Sequence, residues 1–467
     1  MLWRPLFLTC AFLSAACTVG PDYVKPQPDV GDVFPSASSA STTADVPAAW
    51  WRGLGDDRLS AAVEKAMAAN TDIARAEARV EQSRAALAGI AALQLPIGEA
   101  GAAAGRGGLS REGPAGQLLD ELHAPRQGDL YAGVLSLGWE TDLFGGLKRA
   151  REARSALLDS EIDKVAAVKV VVAAETARAY VLLRGLQLRQ ANLDHRVALA
   201  ARALSLSQHR LAVGEGSGLA VHAAEARLAA LKAARPALDA ALARTVNALD
   251  VLQGGRLGDS RGLLADKPVL PVQLAARELD APAVTVARRP DVAAAERAVA
   301  AANAGIGVAL AEYYPSLQLG VLGGLSATQI GHFLDSDAGL WAGGGLVQWR
   351  LLDWNRIGAD VAAARGRKAE ALAAYRGTAL AAAAEIDTAL AALSASAEQA
   401  RRSDDLARAL ARTAEIAGRA QSVGEAGLAA TLAADDQHLA AQDTLIQARM
   451  VALESGIDLY RALGGLG

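Results

Sequence analysis

Between Asp56 and Gln94 the apolar residues Leu59, Val63, Met67, Ile73, Val80 and Leu87 stand among alanines at helical spacing, so this stretch is predicted to be helical. Pro96 breaks the pattern, and glycines at 98, 101, 105, 107 and 108 lead into a loop expected from about Arg106 to Gln127. From Leu130 to Glu140 the period changes to two, which places Tyr131, Gly133, Leu135, Leu137 and Trp139 on one face of a strand. No proline occurs from Lys148 to about Arg210, and helix formers dominate there; a single helix of that length would run roughly 90 Å. The sequence VGEGSGL at 213–219 ends it, because its closely spaced glycines lower helix propensity and permit positive φ. A second helix is expected from about Leu219 to Leu252, giving a helical hairpin with VGEGSGL at its tip.

The second half repeats this order. A helix is predicted from Asp291 to Tyr313, with a break at Pro315 and alternation through Leu317, Leu319 and Val321. After a polar loop, Trp341, Gly343, Gly345, Val347 and Trp349 share one strand face. A proline-free helix follows from about Asn355 to Gln421, then the tip VGEAGL at 423–428, then a helix to about Leu463. Trp139 and Trp349 stand 210 positions apart, as do Val213 and Val423, which is the signature of a duplicated architecture. The second tip reads as one residue shorter than the first. The two repeats, 56–254 and 291–467, carry strand pairs at about 95–140 and 315–351. They are joined by a connector, 255–290, that holds Pro268, Pro271, Pro282 and Pro290.

Tyr131 and Trp139 are eight residues apart on one face, and so are Trp341 and Trp349, a span of roughly 26 Å at 3.3 Å per residue. That is close to the apolar band of about 25 Å between the aromatic girdles of an outer-membrane barrel. Aromatics closing the ends of a soluble sheet are the competing reading. Four strands cannot close a barrel, and an open edge in lipid leaves backbone groups unpaired at several kcal/mol each. A spanning chain must therefore oligomerise, and three copies would give twelve strands. The alanine-rich helices are then expected to pack against neighbouring helices in a tube, without a thick core of their own.

Composition narrows the choice further. Aromatics are 4% and hydrophobic residues 52%, with no run of eighteen apolar residues, so neither a wide aromatic core nor a helical membrane span is expected. The 47 basic and 51 acidic residues are interspersed, with a net charge of −4, which argues against a nucleic-acid partner. At the N-terminus, Arg4 precedes the apolar LFLTCAFL, and small residues Ser14, Ala15 and Ala16 lead to Cys17, the pattern of a secretory signal over residues 1–16. Cys10 leaves with that signal, so Cys17 is the sole remaining cysteine and no disulfide framework is available. The segment 17–55, Pro/Ser/Ala-rich from about Pro21 to Pro47, reads as an extended tether.

The N-terminal block resembles a bacterial lipoprotein signal, with Ser14 where leucine is usual; the resemblance implies acylation of Cys17, and Thr18 after it implies the outer membrane. Four blocks carry a wider resemblance: CTVGPDYVKP at 17–26, WWRGLGDDRL at 50–59, WETDLFGGLKR at 139–149, and RRPDVAAAERAVAAANAGIGVALAEYYPSLQL at 288–319. With them the chain is similar to the TolC-like outer-membrane efflux factors, in their NodT-type lipoprotein branch. The resemblance implies a mixed α and transmembrane β fold, in which a homotrimer forms a twelve-stranded barrel above a periplasmic helical tunnel. It further implies a passive exit channel for drugs or other small molecules, lipid-anchored in the outer membrane. Its partners would be a periplasmic adaptor and an inner-membrane transporter of the RND type. Residues Val213, Gly214, Glu215, Val423, Gly424 and Glu425 match the family's adaptor-docking tips. Aspartates that constrict the family's closed tunnel are replaced here by Ala430 and Ala433. Asp435 and Asp436, a little further on, could form an acidic ring or a solvated helix face.

No catalytic chemistry accompanies this. The six histidines, at 123, 195, 209, 222, 332 and 438, form no HExxH pattern. The pairs His222/Glu225 and Asp435/His438 have a spacing that could seed a metal site but arises readily by chance on polar helix faces. GAAAGRGG near residue 105 is not a phosphate cradle between strand and helix, and Ser217 does not sit in GxSxG. The expectation is therefore no enzyme, no cofactor and no metal. A lipid-anchored periplasmic scaffold that binds partners without spanning, and a metalloenzyme, remain as competing readings.

Overall fold

The sheet expected from the alternating segments is present in the computed structural model, which describes residues 18–37, 49–273 and 279–465. Cys17 and the signal segment lie outside the described residues. In chain order the elements are α1 (Asp57–Ala69), α2 (Thr71–Ala92), β1 (Ile97–Gly108), α3 (Pro114–Glu121), β2 (Gln127–Thr141), α4 (Gly146–Ala212), α5 (Gly218–Leu252), α6 (Pro282–Ala287), α7 (Pro290–Ala311), β3 (Ser316–Ala327), β4 (Gly339–Gln348), α8 (Trp354–Ser422) and α9 (Leu428–Ala462). The strands form one antiparallel sheet in the order β1-β2-β3-β4, so the two hairpins from separate halves of the sequence pair through β2 and β3. Among the described residues, the outer edges of β1 and β4 have no neighbouring strand.

Helix α4 has 67 residues and α8 has 69, each about 100 Å long at 1.5 Å per residue. Helix α8 also contains an eighteen-residue stretch apolar enough, by length and composition, to cross a membrane. Its apolarity comes from alanine repeated between charges, so no unbroken apolar run marks it.

Several boundaries differ from the sequence reading. The helix expected over 56–94 is two, because Asn70 stops α1 and caps α2: its Oδ1 accepts the Asp72 and Ile73 amides at 2.8 and 3.3 Å, and its Nδ2 donates to the Leu252 carbonyl at 2.8 Å. The loop between β1 and β2 folds its LLDE stretch into the short helix α3, with Pro114 opening it. Helix α5 carries Pro236 in its interior, where the ring removes one backbone donor without ending the helix.

Two compact units divide the chain. One comprises Met1–Lys25, Val80–Ser160 and Glu296–Ala373 and holds the sheet; the other comprises Pro26–Arg79, Glu161–Ala295 and Ala374–Gly467 and holds the hairpin tips. The second unit has a core that the low aromatic content did not lead us to expect. Trp50 and Trp51, in a 3₁₀ turn at Trp50–Leu54, are buried with Tyr180, Val181, Ile457 and Tyr460, and Trp50 stacks on Tyr460 at 5.6 Å. The few aromatics are concentrated in one place, so their fraction of the composition understated their effect. The WWRGL stretch, read as the end of an extended tether, is therefore core.

Other parts of that tether are docked as well. In the sheet-bearing unit, the Val19 amide donates to the Phe144 carbonyl at 3.1 Å, and Asn303 donates to the Pro21 carbonyl at 2.9 Å. In the other unit, Phe34 is buried, and Ser36 donates from its amide and its hydroxyl to the two carboxylate oxygens of Asp387 at 2.7 and 3.0 Å.

Candidate functional site

The two hairpin tips have the same backbone. At the first, the amides of Val213, Gly214 and Glu215 donate to the carbonyls of His209, Leu211 and Arg210 at 3.1, 3.0 and 2.8 Å. At the second, Val423, Gly424 and Glu425 donate to Arg419, Gln421 and Ala420 at 3.3, 3.1 and 2.9 Å. Gly214 and Gly424 both have φ of 81°, in the left-handed region where a closing glycine satisfies the last carbonyls of a helix. The next helices open at Gly218 and Leu428, again 210 positions apart. The second tip is thus not shorter, which corrects the sequence reading: Gly218 belongs to the following helix, and counting it as turn lengthened the first motif. What differs is the N-cap, where Ser217 accepts the Ala220 amide at 3.3 Å and Gly427 has no side chain to offer. Val213 and Val423 are 55% and 70% exposed, and a Cβ at Gly214 or Gly424 would meet nothing within 4 Å.

The strand aromatics form two pairs. Trp139 and Trp349 each donate an indole N–H to a carbonyl at a helix-to-strand junction, Gln94 at 3.0 Å and Tyr313 at 2.9 Å, in each case two residues before the proline (Pro96, Pro315) that ends the helical run. Tyr131 lies opposite Ala327 and Trp341 opposite Gly323, while Trp139 lies opposite Leu319 and Gln348, next to Trp349, opposite Ser316. Both rows therefore slant across the sheet by about four residues, as tilted barrel strands require. A tilt of 35–45° shortens the roughly 26 Å along the strand to about 20 Å across the membrane, narrower than the untilted comparison suggested. Trp341 is 85% exposed, and Leu135, Leu137 and Val321 on the same face are exposed too, with no polar side chain between them on β2.

The two candidate constriction residues are not equivalent. Asp436 accepts from Arg196 of α4 at 2.9 Å and from Arg227 of α5 at 2.6 Å, tying α9 to both helices of the first hairpin. Burial pushes its carboxyl up, but the two guanidinium hydrogen bonds outweigh that and hold it below its ordinary value. One rung further from the tips, Arg189 donates to Asp443 at 2.9 Å and Asn192 to the Leu439 carbonyl at 2.8 Å. Asp435 takes no part in these bonds and is half-buried. The sequence could not have found Arg196 and Arg227, because they lie 240 and 209 positions from Asp436.

The RRPD block is a clamp. Arg289, buried, donates to both oxygens of Asp291 at 3.1 and 2.8 Å, to Glu385 at 2.8 Å and to the Ala462 carbonyl at 2.6 Å, closing the last turn of α9. Among the described residues no group of three or more potential ligands gathers around a metal position. His222 Nδ1 lies 3.0 Å from Glu225, and His438 hydrogen-bonds Gln442 at 2.8 Å rather than reaching Asp435.

Comparison with known proteins matches the family described as outer membrane efflux protein over residues 62–255 and 282–465, one segment in each repeat. The chain is 30% identical to the pyoverdine export outer membrane protein OpmQ of Pseudomonas putida, over 97% of this chain and 95% of that protein. It is 28% identical to nodulation protein T of Rhizobium leguminosarum bv. trifolii, over 87% and 84%. The solved outer-membrane channel OprN superposes with a TM-score of 0.84 at 29% identity, covering 96% of this chain and 99% of that one. The fold also matches the Campylobacter jejuni CmeC channel, with a TM-score of 0.84 at 22% identity over 96% and 95%. With both repeats matched and the four-stranded sheet and paired hairpins in place, the chain belongs to the outer membrane efflux protein family and works as an outer-membrane exit channel of a tripartite efflux pump.

Proposed function

We propose that three copies close a twelve-stranded barrel by pairing β1 of one with β4 of the next, that each copy is acylated at Cys17 in the outer membrane, and that all six hairpin tips of the trimer dock a periplasmic adaptor serving an RND-type transporter. The observation that carries this reading is the shared tip: two turns 210 positions apart have the same three amide hydrogen bonds from their Val-Gly-Glu residues, the same glycine φ and an exposed valine. Two surfaces built alike suit one kind of partner met in several places around a ring. The unpaired edges of β1 and β4 support the trimer, since an open edge in lipid is untenable. Tyr131, Trp139, Trp341 and Trp349 are the girdle of that barrel.

Asp435 and Asp436 mark the narrow part of the tunnel, where Asp436 resists separation of α9 from α4 and α5. The channel is passive, and the transporter supplies the energy. Export covers drugs or other small molecules whose choice rests with the transporter. Conductance in planar bilayers together with chemical crosslinking tests the reading. A trimer with discrete channels is expected, and a monomer without conductance would overturn it. Palmitate labelling that persists in Cys17→Ala would overturn the acylation.

A further inference from the structure

The loop between β3 and β4 doubles back onto the sheet. The chain leaves β3 at Ala327, opposite Tyr131, and enters β4 at Gly339, opposite Leu325. A Cβ on Gly133 would stand 3.3 Å from Phe333 Cζ, and Gly133 lies opposite Leu325, two positions back from the end of β3. The Phe333 ring has therefore returned by roughly 7 Å along the strands. It lies on the face that carries Tyr131, Leu135 and Trp139, because side chains alternate along β2 and Gly133 is in phase with these three. The place it takes is specific. The upper aromatic row runs from Tyr131, level with Ala327, to Trp341, level with Gly323, and Leu325 marks its midpoint. At that level β1 and β2 offer only Ala102 and Gly133, which are opposite each other, so the loop supplies the ring that these strands do not.

The rest of the loop is built around this contact. The amides of His332, Phe333, Asp335 and Ala338 donate to the carbonyls of Gln329, Ile330, His332 and Asp335 at 3.1, 3.3, 3.2 and 3.0 Å, and His332 Nδ1 lies 2.7 Å from the Asp335 carboxylate. These turns leave Ile330 and Leu334, on either side of the seated ring, 66% and 83% exposed. Large aliphatic side chains held outward by an ordered turn, beside a row of aromatics, have the make-up of a segment that lies in the boundary between headgroups and acyl chains.

We propose that Ile330–Leu334 is an interfacial loop: Phe333, seated on Gly133, completes the upper girdle, and Ile330 and Leu334 enter the outer leaflet beside it. The occupant is lipid because the loop folds onto the same face as the girdle and continues its row. The pairing of His332 with Asp335 satisfies the loop's polar side chains at that boundary, and the outward fold keeps the loop off the mouth of the barrel. The proposal rests on the reading of Tyr131 and Trp341 as girdle and adds to it a loop that no strand periodicity marks.

Quenching by brominated lipid tests it. The full-length protein carrying Cys17→Ala is labelled with bimane at Leu334→Cys, at Trp341→Cys or at Glu112→Cys in the β1–β2 loop, and reconstituted into phosphatidylcholine vesicles with plain or dibrominated acyl chains. Groups buried at the acyl boundary should lose at least about half their emission to the brominated chains, as is expected at Leu334 and Trp341, while Glu112 should lose less than about a tenth. Adding Phe333→Ala or Gly133→Val, which removes the ring or fills its seat, should lower the quenching at Leu334 at least about twofold and leave that at Trp341 unchanged. Quenching at Trp341 but not at Leu334 overturns the proposal and leaves the girdle standing. Acrylamide then tells whether water or a neighbouring copy covers the loop instead. Quenching at neither overturns the girdle and the proposal together. Quenching at Leu334 that neither added variant lowers overturns the seating of the loop by Phe333.

Discussion

The two repeats agree at their tips and differ at their strand-to-helix junctions. At their tips the three turn amides bond alike and Gly214 and Gly424 share one φ, although the residues that follow, Gly216-Ser217-Gly218 against Ala426-Gly427-Leu428, differ, and the Ala426 amide adds a bond to the Ala420 carbonyl at 3.2 Å. At the strand-to-helix junctions, by contrast, Asp142 caps α4 by accepting the Leu147 and Lys148 amides at 3.0 and 2.7 Å, while the position 210 further on is Leu352, fully exposed. The turn's backbone is therefore shared between the repeats, while the means of capping what flanks it differs. A backbone held without its supporting side chains points to a surface used from outside.

The comparison breaks most sharply at its glycines. Gly214→Val and Gly424→Val each place a β-branched residue at positive φ, a cost of about 1–2 kcal/mol that no steric clash adds to, since the space around both is open. Each variant is expected to lower drug resistance in cells severalfold with trimer yield on native gels unchanged. If one tip tolerates valine and the other does not, the two are not used alike.

Asp436→Asn should come next. It weakens a half-exposed charge network by about 1 kcal/mol after allowance for solvent screening, and is expected to raise single-channel conductance or open probability. Because the carboxyl is held below its ordinary value, its contribution is complete above about pH 4 and is lost as pH falls through the lower folded value. Conductance should thus be flat from pH 8 to 5 and rise only in stronger acid. A rise between pH 7 and 5 would assign closure to another group.

Trp139→Phe and Trp349→Phe each remove one indole hydrogen bond to a junction carbonyl, about 1 kcal/mol each, and should lower the thermal dissociation temperature of the trimer by similar amounts. Unequal shifts would show that the matched geometry is not matched energetically. Smallest is the exchange of caps: Ser217→Gly should cost a few tenths of a kcal/mol and Gly427→Ser should gain as little, read by chemical denaturation, with no change in resistance.

Much of this architecture follows from periodicity and spacing. The change from a 3.6 to a 2.0 period located β2 and β4, proline-free runs located α4 and α8, and the 210-residue offset joined Trp139 to Trp349 and Val213 to Val423. Features that rest on partners distant in sequence were not legible. Asn70 interrupts a helical pattern because the Leu252 carbonyl accepts its side chain, and Trp50 is core because Tyr460, distant in sequence, stacks on it. The same holds for Asp436, whose neighbours suggest an acidic ring and whose partners are arginines from another hairpin. The Pro-rich composition after Cys17 suggested a tether, because composition does not reveal that Gly20 faces Gly307. The apparent shortening of the second tip had a local cause: a glycine inside the first turn of a helix is indistinguishable, in sequence, from one in the loop before it.

If the two tips are used alike, both meet the same partner. Site-specific photocrosslinking in cells, with benzoylphenylalanine in place of Val213 in one strain and of Val423 in another, tests it most directly. A crosslink to one and the same periplasmic adaptor is expected from both positions, with yields within about twofold of each other because both valines are comparably exposed. An adaptor crosslink from only one position, or from neither while the trimer is intact, would contradict it.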